Sequence, residues 1–256
     1  MTHQAFIGNL QLGGPWTSGA LTIWPLIGGG AGERDYATLD EALATGRFQV
    51  GEVGEAGTVP ELKVDNRLDR PVLLLDGEEL IGAKQNRVLN LTIMVPANAE
   101  LTIPVSCVEA GRWRYASRGF RSSGRTQFAR GRARKLGQVS FSLRERGQAH
   151  ASQADVWNEI DGKARRMGVL SDTGAMSDIY RAKEDELASM TAAPSHEGQV
   201  GAVFAIAGRI AGVELFERAE IYARLAAKII SSYALDALDT EGLDRRPQID
   251  EPAAFL

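Results

Sequence analysis

From Phe48 to Val105, short β-prone runs alternate with turn residues. The runs are Phe48–Val53, Thr58–Val64, Pro71–Leu75, Arg87–Val95 and Glu100–Ser106. Gly54 and Gly57, Asn66–Asp69, Asp76-Gly77 and Pro96-Ala97-Asn98 break them. Runs of this length at this spacing predict an antiparallel sandwich or barrel. Leu89, Leu91, Ile93 and Val95 alternate with Val88, Asn90, Thr92 and Met94. One face is therefore apolar and the other mixed, as in a sheet with one side toward the core.

Ahead of that region, Ala20–Ile27 reads as a strand closed by Gly28-Gly29-Gly30. The triple glycine lacks a following Gly-Lys-Ser/Thr and a helix directly after it, so it reads as a flexible loop rather than a phosphate loop. Thr38-Leu39-Asp40-Glu41 has the form of a capping box and opens a helix to about Ala44, stopped by Gly46.

Helical spacing takes over in the second half. Ser152-Gln153-Ala154-Asp155 caps a helix carrying Val156, Ile160, Ala164 and Met167. A second helix is predicted over Ser177–Met190, and Gln199–Ala207 and Arg209–Phe216 read as a hairpin turning near Gly208. Glu217–Leu238 shows the clearest stripe, through Ile221, Leu225, Ala226, Ile229, Tyr233 and Leu238. The expected fold is α+β: an antiparallel β-sandwich-like body over about residues 20–150, then C-terminal helices and a β-hairpin. No linker is long enough to divide the chain, so residues 20–238 read as a single domain. An N-terminal segment, 1–19, precedes it, and a loosely held tail, 239–256, follows.

Composition narrows the class. The 256 residues can bury a sizeable core. A net charge of −4 and a pI of about 5.5 argue against extended nucleic acid as a partner. No window approaches the roughly 18 apolar residues of a membrane span, so no membrane association is expected. MTHQAFIGNL has no basic stretch leading into an apolar core, so no signal peptide is expected. The single cysteine cannot form an internal disulfide, and a cytoplasmic location follows as the expectation. His3, His150 and His196 are scattered, and no metal site is predicted. Cofactor and oligomeric state are not specified.

The candidate chemistry lies between Pro71 and Trp113. Asp76, Glu78 and Glu79 are three carboxylates within four positions, and their mutual repulsion needs a cation, a metal or a shared proton. They read either as a general acid/base or ligand set, with Glu78 and Glu79 as catalytic candidates, or as a solvated turn around Asp76-Gly77. Lys84, Gln85, Asn86 and Arg87 follow. A returning strand would bring Lys84 or Arg87 against the acids, and Gln85 and Asn86 offer both donors and acceptors. The other reading is a polar strand face with cross-strand ion pairs. Cys107 ends an apolar strand near Glu109 and Arg112. A neighbouring arginine favours thiolate and a nucleophile, whereas burial makes the residue a small apolar side chain. Trp113 offers a ring for stacking. Arg112–Arg146 is strongly basic with interleaved aromatics, and Ser117–Gly131 within it reads as a mobile loop. Such a segment fits a small phosphorylated ligand, single-stranded nucleic acid or a plain solvated loop.

LLLDGEELIGAKQNRVLN (Leu73–Asn90) and IPVSCVEAGRW (Ile103–Trp113) resemble the ARG and rhodanese-phosphatase superfamily-associated protein domain. VWNEI (Val156–Ile160) and the strand pair near Gln199–Phe216 are similar to that family too. The resemblance spans roughly Leu21–Leu238. It implies, by association, a role near ADP-ribose or nucleotide metabolism. It assigns no catalytic residues. What it carries is the motif: Asp76, Gly77, Glu78, Glu79, Gly82, Lys84, Gln85, Asn86, Arg87, Cys107, Glu109, Gly111, Arg112 and Trp113. The expectation is a hydrolase or transferase acting on an ADP-ribose-like or other phosphorylated small molecule. Glu78 or Glu79 would act as acid/base, with Cys107 as pocket wall or nucleophile. Asp76, Lys84, Gln85, Asn86, Arg87, Glu109, Arg112 and Trp113 would hold the ligand. The alternatives are a non-catalytic nucleotide-ligand or partner-binding module, and nucleic-acid binding through the arginine-rich segment.

Overall fold

The computed structural model describes residues 7–28, 32, 34–54, 57 and 59–240. In chain order its strands are β1 (Leu10–Leu12), β2 (Trp16–Ser18), β3 (Leu21–Gly28), β4 (Ala37–Thr38), β5 (Phe48–Glu52), β6 (Glu61–Asn66) and β7 (Val72–Leu74). They continue as β8 (Glu78–Gly82), β9 (Arg87–Leu89), β10 (Ile93–Val95), β11 (Ala99–Cys107), β12 (Phe120–Thr126), β13 (Gln199–Ile206) and β14 (Arg209–Leu215). The helices are α1 (Leu39–Ala44), α2 (Ala129–Arg146), α3 (Gln153–Arg166), α4 (Met176–Ala182), α5 (Glu184–Thr191) and α6 (Ala219–Leu238). The fold is α+β, with antiparallel sheets, a late hairpin and a C-terminal helix. Two compact units emerge: Met1–Arg34 with Lys183–Leu256, and Asp35–Ala182.

In the first unit the sheet order is β1-β3-β13-β14, with β2 added to β3. β13 is buried over nearly its whole length. Trp24, Leu26, Val203 and Ala205 form one apolar cluster, and the residue of β13 between the last two, Phe204, stacks on Tyr233 of α6 at 4.0 Å. Alternation along β13 thus feeds two apolar layers, which is why its sequence is almost continuously apolar. The second and third glycines of the Gly28–Gly30 run, and the tail from residue 241, lie outside the described residues.

The second unit is built on a sheet of order β12-β8-β9-β11-β6-β5 and a three-stranded sheet β10-β7-β4. Only β4 and β7 run parallel among the described strands. Leu62, Val64, Leu74, Leu80, Leu89, Ile103 and Val105 form its core, each at most 2% exposed. Burying each such side chain contributes about 1.5–3 kcal/mol. The predicted helix start at Thr38 is present: Glu41 accepts from the Thr38 backbone N–H and hydroxyl, both at 2.9 Å. Gly46 ends that helix at φ +69°. Ser152 caps α3 by accepting from the Asp155 N–H.

Three expectations change. Ser117–Gly131 is not a mobile loop; it contains β12, hydrogen-bonded to β8, and the start of α2. Arg87–Val95 is two strands, β9 and β10, placed in different sheets. Buried Asn90 sits at the break, accepting from the Ser106 hydroxyl and donating to the Ala149 carbonyl. The single helix over Ser177–Met190 is interrupted at Lys183 into α4 and α5.

Candidate functional site

Strand register sorts the motif residues. Glu79 pairs with Val88 and Val88 with Ser106, while Leu80 pairs with Arg87 and Arg87 with Cys107. Residues paired across a sheet share a face, and successive residues alternate. Glu79 therefore stands on one face of β8-β9-β11, and Arg87 with Cys107 on the other. The acid cluster, the polar tetrapeptide and the thiol do not wall one common cleft.

The first group is a closed network. Glu109 Oε2 accepts from the Asn86 N–H at 3.1 Å and from Arg112 Nε at 2.9 Å, and Oε1 accepts from the Thr173 hydroxyl at 2.9 Å. Arg112 also donates to the carbonyls of Ala83, Arg114 and Gly82 and to Asn86 Oδ1. Every guanidinium N–H is engaged, so Arg112 holds the Gly82–Asn86 turn rather than offering a free fork to a phosphate. Gly82 is required here: its φ is +128°, and an added Cβ would lie 2.5 Å from Ser117 Oγ. Burial alone would raise the Glu109 carboxyl, but Arg112, Thr173 and the Asn86 N–H hold it below the usual range.

A second group lies around Arg87, which is fully buried. It donates to Gln85 Oε1 at 3.2 Å and stands 3.9 Å from Glu52, while its Nε and Nη2 find no hydrogen-bond partner among the described residues. Gln85 is tied in turn to the Glu109 carbonyl at 2.7 Å. Trp113 and Tyr115 are about half exposed, and Lys84 Nζ sits 5.5 and 5.1 Å from their ring centres. Cys107 is fully buried, with its backbone clasped on both sides by Gln153 at 2.8 Å. Burial pushes its thiol up to about 11 despite Arg87. Of the two readings of Cys107, this burial favours the small apolar side chain over the thiolate, because desolvation outweighs the cation.

Asp76 belongs to a third group that the sequence did not reveal. Arg132 Nη2 donates to its Oδ1 at 3.2 Å, and Thr92 and Lys135 complete the surroundings. Burial raises the Asp76 carboxyl, but Arg132 and Lys135 bring it below the usual range. Gly77 lets Arg132 pass, since a Cβ there would lie 2.7 Å from Arg132 Cδ. Burial pulls Lys135 down to about 7, and its ammonium donates to the Leu89 carbonyl. Glu78 accepts the Leu75 N–H at 2.8 Å and so closes the turn from β7 into β8.

Glu79 differs from all of these. It has no exposed surface, and neither carboxylate oxygen has a hydrogen-bond partner among the described residues. Burial pushes it up to about 7; the Ser123 hydroxyl, close by but outside hydrogen-bonding geometry, and Arg125 moderate the rise, and Glu109 and Asp178 add to it. The opposing strand bulges here. Ser122 faces Leu80 and Thr126 faces Glu78, so Ser123, Gly124 and Arg125 all stand against Glu79 alone.

On the same face, Ile81 and its partner Arg121 line a cleft of about 350 Å³. Asn86, Glu109, Arg112, Thr173, Asp178 and Arg181 line it further. Arg181 pairs with Asp178, whereas Arg121 is exposed and makes no ion pair or hydrogen bond among the described residues. Alternation along β12 would have placed Arg121 opposite Ile81 had β12 been recognised. Thr173, Asp178 and Arg181 carry no local signal, because they enter from beyond α3. No described group of histidine, cysteine and carboxylate side chains has the arrangement of a metal site. No described helix is long and apolar enough to cross a membrane.

Neither curated proteins nor solved structures give a match to the chain. The model of the ARG and Rhodanese-Phosphatase-superfamily-associated Protein domain matches residues 9–256, including every strand and helix described above. The resemblance carried by the two central motifs thus extends over nearly the whole sequence, and the chain belongs to that family.

Proposed function

We propose that the unit Asp35–Ala182 binds a small phosphorylated molecule of the ADP-ribose type in the Arg121–Arg181 cleft and acts on it as a hydrolase or transferase. The observation that carries this reading is Glu79, a buried carboxyl without hydrogen-bond partners among the described residues, raised to about 7 beside the cleft. A group titrating near the working pH can give a proton to a leaving oxygen in one form and take one from an attacking water in the other. Arg121 and Arg181 supply positive charge at the cleft wall for phosphate oxygens. Asn86 offers an amide edge to ribose or base.

One observation favours a second reading, a binding module without turnover: Glu79 exposes no surface to the cleft. In the catalytic reading, the Ser123–Arg125 bulge yields to admit substrate. The test is incubation with ADP-ribose, cyclic nucleotides and phosphate esters, with and without divalent metal, followed by chromatography. The catalytic reading expects turnover that Glu79→Gln lowers by about 10²–10⁴-fold. A rise in melting temperature with ligand, without turnover, supports the binding module instead. Steeply salt-dependent binding of oligonucleotides would overturn both in favour of nucleic acid.

A further inference from the structure

The other unit holds a cavity of different chemistry. Trp16 of β2, Ile23 and Pro25 of β3, Pro194 of the α5–β13 connection, and Ala226 and Ile230 of α6 enclose about 410 Å³. Ala219, Ala223, Ala226 and Ile230 fall at helical spacing, so α6 turns a stripe of mainly small side chains to this space. The volume is in the range of small-molecule sites, which are mostly apolar with a few polar groups. No described lysine or arginine lines it, and its one carboxylate, Glu220, is engaged by Arg218 at 3.4 Å. Tyr222 forms part of the wall, is 4% exposed, and its hydroxyl has no hydrogen-bond partner among the described residues. Ser195 and His196 supply polar atoms.

We infer that this cavity is a second ligand site, taking an uncharged, largely apolar small molecule with an aromatic or branched hydrocarbon body and one hydrogen-bonding group. Such a molecule packs its body between the Trp16 indole and the small face of α6. Its polar end meets Ser195 or His196. The site is independent of the Glu79 cleft, whose cationic lining selects the opposite class of ligand.

The probe is N-phenyl-1-naphthylamine, an uncharged aromatic whose fluorescence rises in apolar surroundings, added to the full chain. The expected result is saturable binding at one site per chain. Ala226→Phe and Ala223→Leu each add bulk inside the cavity at positions that are not fully buried, so both variants should keep the parent melting temperature. Each is expected to weaken the probe by at least tenfold, while Arg121→Ala leaves its affinity unchanged. Absence of saturable binding overturns the inference. So does binding that neither filling variant weakens, or binding that Arg121→Ala abolishes.

Discussion

Glu109 and Glu79 are both buried carboxylates of the same unit, yet the structure treats them in opposite ways. Glu109 accepts from a backbone N–H, an arginine and a hydroxyl, and its carboxyl is held low. Glu79 has no such bonds among the described residues, and its carboxyl is pushed up to about 7. Folding that merely needed an ion pair has built one around Glu109. A carboxyl left unsatisfied a short way off lowers stability. The difference separates residues that shape the cleft from the one that the proposed activity would use.

The largest expected effect comes from breaking the satisfied side. Arg112→Ala strands Glu109 and frees three carbonyls, and should cost about 3–5 kcal/mol in denaturant unfolding. A loss below about 1 kcal/mol would remove Arg112 from its structural role.

Glu79→Gln should do the reverse. The folded carboxyl is raised from 4.5 to about 7, so the native state binds more protons than the unfolded chain between those values. Its contribution therefore declines as pH rises from 4.5 to 7, and the penalty persists above 7. At pH 8 the variant should be more stable than the parent by on the order of 3 kcal/mol, and near pH 4 the two should converge. Lys135 carries the opposite slope in the next window. Its folded value is lowered from 10.5 to about 7, so its contribution rises with pH between them. Lys135→Met should remove that rise from the stability profile.

Smaller still, Arg121→Ala should change stability by less than about 0.5 kcal/mol, since the side chain is exposed and makes no ion pair among the described residues. Its effect should appear in the affinity for phosphorylated ligands. Cys107 should resist iodoacetamide at pH 7.5 in the folded chain and react once the chain is unfolded, as a buried thiol raised to about 11 requires.

Local pattern carried much of the fold. The Phe48–Ser106 alternation, both N-caps and the α6 stripe are short-range signals, and the structure contains them. The missed elements depend on distant partners. Ser122-Ser123-Gly124 reads as a turn because a bulge uses turn residues, and only pairing with β8 makes it strand. Glu78-Glu79 hides the strand β8 because charged pairs rarely sit at buried positions. At the site, residue types were legible and their directions were not. Arg112 looked like a phosphate fork, but the Gly82–Asn86 turn and its neighbours use all its donors. Arg132 and Lys135 looked like parts of a solvated basic segment, although their i, i+3 spacing on one helix was the available sign of a shared face. Cys107 and Glu79 lie within one motif, but strand parity sends them to opposite faces.

Everything proposed for the cleft rests on Glu79 titrating near neutrality in the free protein. Carbon-13 NMR of glutamate-labelled chain, with the Glu79 carboxyl identified by its loss in Glu79→Gln, measures this directly. The expected midpoint is about 7. A midpoint near 4.5 would show a carboxylate that is solvated or paired, and would contradict it.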